Sequence, residues 1–113
     1  MIEEYHFGSI TISGKVYDYD VELRWTSEVL KWRREESHLI GEEDIKRAIA
    51  ENPGLIIIGT GESGFAKVSQ EAKEKILSEG IGLITEKTGK AIITFNKEQK
   101  KGRKVIGLFH LTC

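Results

Sequence analysis

Three glycines, Gly59, Gly61 and Gly64, follow the apolar run 55–58 with the spacing G-x-G-x-x-G. After a buried strand this is the dinucleotide-binding spelling, in which a tight backbone turn lets pyrophosphate approach a helix N-terminus. The same residues, GTGESGFA, also read as a phosphate-gripping P-loop. Phe65 and Ala66 then stand where Lys and Ser/Thr are needed, so the phosphate-bridging cation and the Mg²⁺ hydroxyl ligand are missing. A dinucleotide site begins its helix inside the glycine motif. Here the natural N-cap is Ser69, five residues after Gly64. Glu86 lies about where a ribose-gripping acid would, but only one β-α-β-α-β unit is available, whereas the full dinucleotide fold uses two mononucleotide halves. Three readings follow: a glycine-enabled turn, which is favoured, an anion or small-ligand pocket, and a true nucleotide site.

Ligands in open α/β sheets bind beyond the strand C-termini, near a switch in strand order. That places Gly59, Thr60, Gly61, Glu62 and Ser63 beside Glu86, Lys87 and Thr88 as candidate ligand-binding residues. Glu62 and Glu86 would serve as an acid–base pair, with Lys67 complementing them. The plainer reading makes both acids solvated loop residues. A second candidate is Trp32, Arg33 and Arg34 within KWRREE, because Trp and Arg dominate protein-binding hot spots. The competing reading has Trp32 covering the sheet edge and the charges in solvent. His6, His38 and His110 are far apart in sequence and lack second ligands at useful spacing, so no metal site is expected. His110 alternates with Phe109 and Leu111 and is read as facing outward. GESG is not a nucleophile elbow, and no Ser-His-Asp or Cys-His arrangement can be placed.

The elements that would carry these residues are readable in outline. YHFGSITISG and KVYDYDVELRW alternate as strands and suggest a hairpin or meander. Residues 26–41 read as irregular, and such long loops are often functional. GEEDIKRAIAENPG reads as a helix with acids at its start and Ile45, Ala48 and Ile49 on one face. LIIIG is a strand buried on both faces. Ser69 caps a helix that stops at Gly80, with Val68, Ala72 and Ile76 on one side and Leu77 beside them. IGLIT is the next buried strand, parallel to the first. Residues 87–101 are ambiguous. Ala91, Ile93 and Phe95 alternate as in a strand, whereas Thr88, Ala91, Ile92 and Phe95 share a helical face, and period alone slightly favours the strand. RKVIGLFHL is strand-like.

The bulk numbers bound the class. A chain of 113 residues with 39% hydrophobic and 31% charged residues is expected to fold as a single domain, residues 1–113, without staples. Its net charge of −1, with Lys and Arg spread along it, gives no footprint of a nucleic-acid binder. No run approaches the roughly 20 apolar residues that span a bilayer. The acidic N-terminal stretch MIEEYHFG lacks signal-peptide character, and the lone Cys113 suits a reducing compartment, so a cytoplasmic location is expected. Scarce Asn and Gln beside plentiful Glu, Lys and Ile lean toward the composition of a thermophilic archaeal protein.

Five segments in order, FGSITISGKVYDYDVEL, WRR at 32–34, PGLIIIGTG at 53–61, GIGLITEKTGKAIITFN at 80–96 and KGRKVIGLFHLTC, resemble a family of small α/β domains. That family includes a mitochondrial complex I assembly factor and an adipogenesis-associated domain protein. The resemblance implies a three-layer α/β fold with a central mixed sheet, flanking helices and an extra N-terminal β-layer. It also implies a helix over Thr88–Lys101, which overrides the marginal strand reading. It supplies no catalytic residues and no cofactor. The function it implies is a non-catalytic protein-binding or assembly module with an unidentified protein partner, or a homo-oligomer. The alternative is a small enzyme or anion-binding protein using the 59–64 loop with Glu86 and Thr88.

Overall fold

The computed structural model describes residues 1–113. The chain opens with a meander of β1 (Ile2–His6), β2 (Ser9–Ile12) and β3 (Lys15–Tyr17), which forms an antiparallel three-stranded sheet of its own. The KVYDYDVELRW segment is therefore two strands, because β4 (Val21–Arg24) leaves the meander and enters the second sheet. Next come β5 (Val29–Lys31) and β6 (Leu39–Ile40), so the segment expected to be irregular contains two short strands. Helix α1 (Glu42–Ala50) follows, then β7 (Leu55–Thr60), β8 (Lys67–Val68), α2 (Gln70–Ser78), β9 (Gly82–Glu86), α3 (Thr88–Lys100) and β10 (Val105–His110).

The central sheet has the order β5-β4-β10-β7-β9. Strands β10, β7 and β9 run parallel, and β4 and β5 add an antiparallel edge. Strands β6 and β8 pair as a small parallel ribbon, Leu39 opposite Lys67. This is the mixed α/β sheet that the resemblance implied, with helices on both faces.

Alternation along the two central strands builds two cores, since successive side chains point to opposite faces. Leu55, Ile57, Val105 and Phe109 pack with Ala91, Ile92 and Phe95 of α3 and with Ile2, Ile10 and Ile12 of the meander. Ile56, Ile58, Ile106 and Leu108 pack with Ile45 and Ala48 of α1 and Ala72 and Ile76 of α2. The layers are thus α1 and α2, then the sheet, then α3 beside the meander.

Local chemistry fixes the helix ends. Ser69 Oγ accepts the Ala72 N–H at 3.1 Å, the expected N-cap of α2. Asp44 accepts the Gly41 N–H at 2.7 Å at the start of α1. Helix α3 buries Thr88, Ala91, Ile92 and Phe95. Ile93 is 68% exposed, which removes the alternating strand pattern as a structural signal. A buried carboxylate, Glu22, holds α1 against β4: Arg24 Nε donates to it at 2.8 Å and Arg47 Nε at 3.0 Å.

Phe95 and Phe109 meet edge to face, with ring centroids 5.8 Å apart at 78°. Gly107 makes that possible, because a Cβ there would lie 2.4 Å from Phe109 Cζ and 2.9 Å from Phe95 Cδ2. Gly107→Ala is expected to destabilise the fold by about 1–3 kcal/mol through overpacking, read from denaturant midpoints. The penalty should shrink in a Phe109→Leu background; equal penalties in both backgrounds would contradict the clash.

Candidate functional site

Strand β7 ends at Thr60 and its connection passes to α2, whereas β9 ends at Glu86 and passes to α3 on the opposite face. Adjacent parallel strands whose connections diverge leave a crevice at their C-terminal ends. The crevice here has a volume of about 410 Å³ and is lined by Thr60, Ser63, Gly64, Lys67, Lys73, Thr85 and Lys87 among others. Strand-order rules applied to the sequence put Thr60, Ser63 and Glu86 at this same place.

The glycines serve packing. A Cβ on Gly59 would lie 2.9 Å from Thr88 Oγ1 and 3.1 Å from Thr88 Cα, so Gly59 lets the first turn of α3 rest on β7. Gly61 has φ +104°, and a Cβ there would lie 2.7 Å from the Thr112 carbonyl oxygen. Gly64 has φ +74°, with the Lys87 stem laid against it. The loop is a turn built around close backbone approaches.

Thr88 is fully buried. Its Oγ1 accepts the Gly61 N–H at 2.9 Å and donates to the His110 carbonyl oxygen. One hydroxyl thereby joins the ends of β7, α3 and β10. The Glu86 side chain points to the α3 side, where Thr94 Oγ1 donates to it at 2.7 Å and Lys90 Nζ lies 3.5 Å away. Glu62 is exposed, and its backbone N–H donates to the Thr112 carbonyl. Burial, with Glu62 close by, pushes the Tyr5 hydroxyl well above its ordinary range, and the hydroxyl donates to the Leu111 carbonyl.

The KWRREE segment is arranged differently from an exposed anchor. Trp32 is buried, with Nε1 donating to the Asp44 carbonyl at 2.9 Å, because α1 covers its apolar ring. Arg34 folds inward over Trp32, 5.3 Å from the ring centroid, and donates to Asp20 Oδ2 at 3.0 Å. Arg33 alone of the three is exposed.

His110, read from the sequence as outward-facing, is buried. Its Nδ1 lies 2.8 Å from Asp20 Oδ2 and its Nε2 lies 3.1 Å from the Cys113 backbone oxygen. Alternation did place it opposite Phe109 and Leu111, but that face is also covered. Nothing in the sequence signals the cluster of Asp20, Arg34 and His110, since Asp20 and His110 stand 90 residues apart. No group of three His, Cys, Asp or Glu side chains is placed to hold a metal, and Cys113 is exposed.

Fold and crevice together define a three-layer α/β domain with an open cleft at a topological switch point. The chain belongs to the family described as "Protein of unknown function (DUF498/DUF598)", whose model matches residues 2–110. Among solved structures, MT938 is 28% identical with a TM-score of 0.86, covering 100% of this chain and 98% of that one. The conserved hypothetical protein PH1505 from Pyrococcus horikoshii is 25% identical with a TM-score of 0.90, covering 100% and 99%. A protein from Bartonella henselae described as an outer membrane protein is 22% identical with a TM-score of 0.84, covering 99% and 94%, and shows likeness of fold alone. No curated protein matches the chain. No helix is long and apolar enough to cross a membrane.

The bonded groups at this strand end can be tested one at a time. Thr88→Val is expected to cost about 2 kcal/mol by leaving the Gly61 N–H without its acceptor, with Thr88→Ser costing less, both read from chemical unfolding. Asp20 offers a pH-dependent test. Burial would raise its carboxyl, but hydrogen bonds from the His110 side, the Leu111 N–H and Arg34 outweigh burial and hold it below its ordinary 3.8. A depressed native value gives stability that is complete above the unfolded-state value and lost as pH falls through the native one. Unfolding free energy should therefore decline as pH drops below about 4. Asp20→Asn should lower stability at pH 7 and flatten part of that acid limb; an unchanged limb would count against Asp20 as its source.

Proposed function

We propose that this chain is a non-catalytic binding module, acting as one unit over residues 1–113, that docks a protein partner across the strand-end crevice and its rim. The observation that carries this reading is the commitment of the groups an enzyme would use. The Thr88 hydroxyl and the Glu86 carboxylate are both engaged in bonds internal to the fold, while the crevice itself stays open. The rim adds a contact surface: Phe65 is 58% exposed, Leu39 is exposed, and His38 stands edge-on to Phe65. Exposed aromatic residues beside a cleft are typical of binding anchors. Arg33 flanks a second, smaller cleft near α1 and is a further contact point in this reading.

The resemblance to a family with assembly-type members supports a partner that is itself a protein, met in the cytoplasm, and needs no cofactor. The competing reading, a small enzyme working through the 59–64 loop with Glu86 and Thr88, would require both residues to abandon their present partners.

The test is affinity capture from lysate of the source cells with the wild-type chain, Phe65→Ala and Arg33→Ala. A partner held by the wild type and strongly depleted by Phe65→Ala, with the variant still folded, supports the crevice-rim surface. Equal capture by all three removes it. Turnover that disappears in both Glu86→Gln and a folded Thr88→Val, and survives in Thr88→Ser, would establish the enzyme reading instead.

A further inference from the structure

The crevice has a charge arrangement that the docking reading does not require. Lys67, Lys73 and Lys87 line it from three different elements: β8, helix α2 and the turn between β9 and α3. None of the three makes an ion pair, whereas Lys46, Lys75, Lys90 and Lys101 each find an acid elsewhere on the surface. The only acid in the lining, Glu86, turns its carboxylate through to the α3 side. Three lysines without an ion-pair partner thus line one crevice in a chain whose net charge is −1. Like charges brought together raise the free energy of the site unless an anion offsets them.

The composition of the lining narrows the anion. Hydroxyls come from Thr60, Ser63 and Thr85, and the only apolar contributors are Ala66 and Val68. No arginine fork is present to grip a planar carboxylate in bidentate fashion, and lysine acts on phosphate as a point charge. No aromatic side chain belongs to the lining itself, Phe65 standing at the rim with its edge contact to His38, and the volume lies at the small end for ligand sites.

We infer that the crevice takes a compact, multiply charged phosphate of the pyrophosphate or sugar-phosphate class, and that it does not read a nucleobase. This rests on the crevice being the binding site, and it names the chemistry recognised there. Lys87 would act from above Gly64, against which its stem already lies: its Cγ is 3.4 Å from where a Cβ on that glycine would stand. Thr85, on the α2 side of β9, and Lys73 of α2 would contact the anion as further members of the lining.

The test is a thermal-shift titration of the full chain with inorganic pyrophosphate, glucose 6-phosphate, AMP and adenosine, each against sodium chloride at matched ionic strength. Binding to the native state raises the melting temperature in a saturable way. Pyrophosphate and glucose 6-phosphate should do so, adenosine should not, and AMP should bind no more tightly than pyrophosphate. Lys67→Gln, Lys73→Gln and Lys87→Gln should each weaken binding roughly tenfold. Lys90→Gln, which alters the α3 side, should not. Backbone amide signals of Thr60, Ser63 and Thr85 should move on titration, which gives a readout independent of melting. Shifts reproduced by chloride, shifts unaffected by the three substitutions, or AMP binding far above pyrophosphate would each overturn the inference. A flat phosphate titration with partner capture still lost in Phe65→Ala removes this inference and leaves the docking reading; a flat titration with capture equal in wild type and Phe65→Ala removes both.

Discussion

The Thr88 hydroxyl is the interaction on which the strand-end architecture depends. It is reached from β10 through the His110 carbonyl and from the loop after β7 through the Gly61 N–H, while its own backbone begins α3. Both partners are backbone groups that burial denies to water, so the hydroxyl meets a need that water cannot. The geometry works only if β7 presents no side chain at Gly59, where a Cβ would strike Thr88 itself. A glycine on one strand and a threonine beyond the next are therefore one structural unit. The crevice is a by-product of that unit, because pinning α3 on one face leaves the β7 connection free to depart on the other.

A second buried polar cluster stabilises the other side of the same strand end. Asp20 accepts from the Leu111 N–H at 2.9 Å and from Arg34, and meets His110. Gly8 and Tyr5 both donate to the Leu111 carbonyl. The β4 entry and the residues after β10 are thus fastened through charge-assisted bonds to Asp20, which are stronger than neutral ones, and the meander joins them through two neutral bonds to the Leu111 carbonyl. Glu22 with Arg24 and Arg47 does the equivalent work for α1. Buried charges of this kind cost much to leave unpaired, so they penalise misplacement of the elements that carry them.

What could be read in the sequence follows from the range of each interaction. Ser69, Gly80 and the acids before Ile45 act within one helical turn, and the helices they mark are legible. The parallel pairing of β7 with β9 follows from an apolar run on each side of a helix. Period slightly favours a strand where α3 stands, because Ile93 completes an alternation although Thr88, Ala91, Ile92 and Phe95 satisfy a helical face; the resemblance to known domains corrects it. Trp32 and Arg34 look like surface anchors because nothing near them in sequence announces α1 or Asp20 as their cover. His110 misleads for a related reason: alternation separates the two faces of a strand, but both faces of a central strand are indoors. The crevice position is legible from strand-order rules, and Lys67 and Lys87 come with it; Lys73 is not, since it reaches the lining only when α2 packs back beside β7 and β9.

The position of β10 has a consequence for how the molecule comes into being. It follows every other element in the chain, yet lies between β4 and β7, pairing with both. Until residues 105–110 have been made, the hairpin of β4 with β5 and the pair of β7 with β9 share no ladder, and each keeps an inner edge unpaired. Addition of β10 therefore joins two half-sheets and supplies residues to both cores in a single event. Folding waits on residues 105–110, and a chain stalled just short of that strand would present two open edges where strangers could pair.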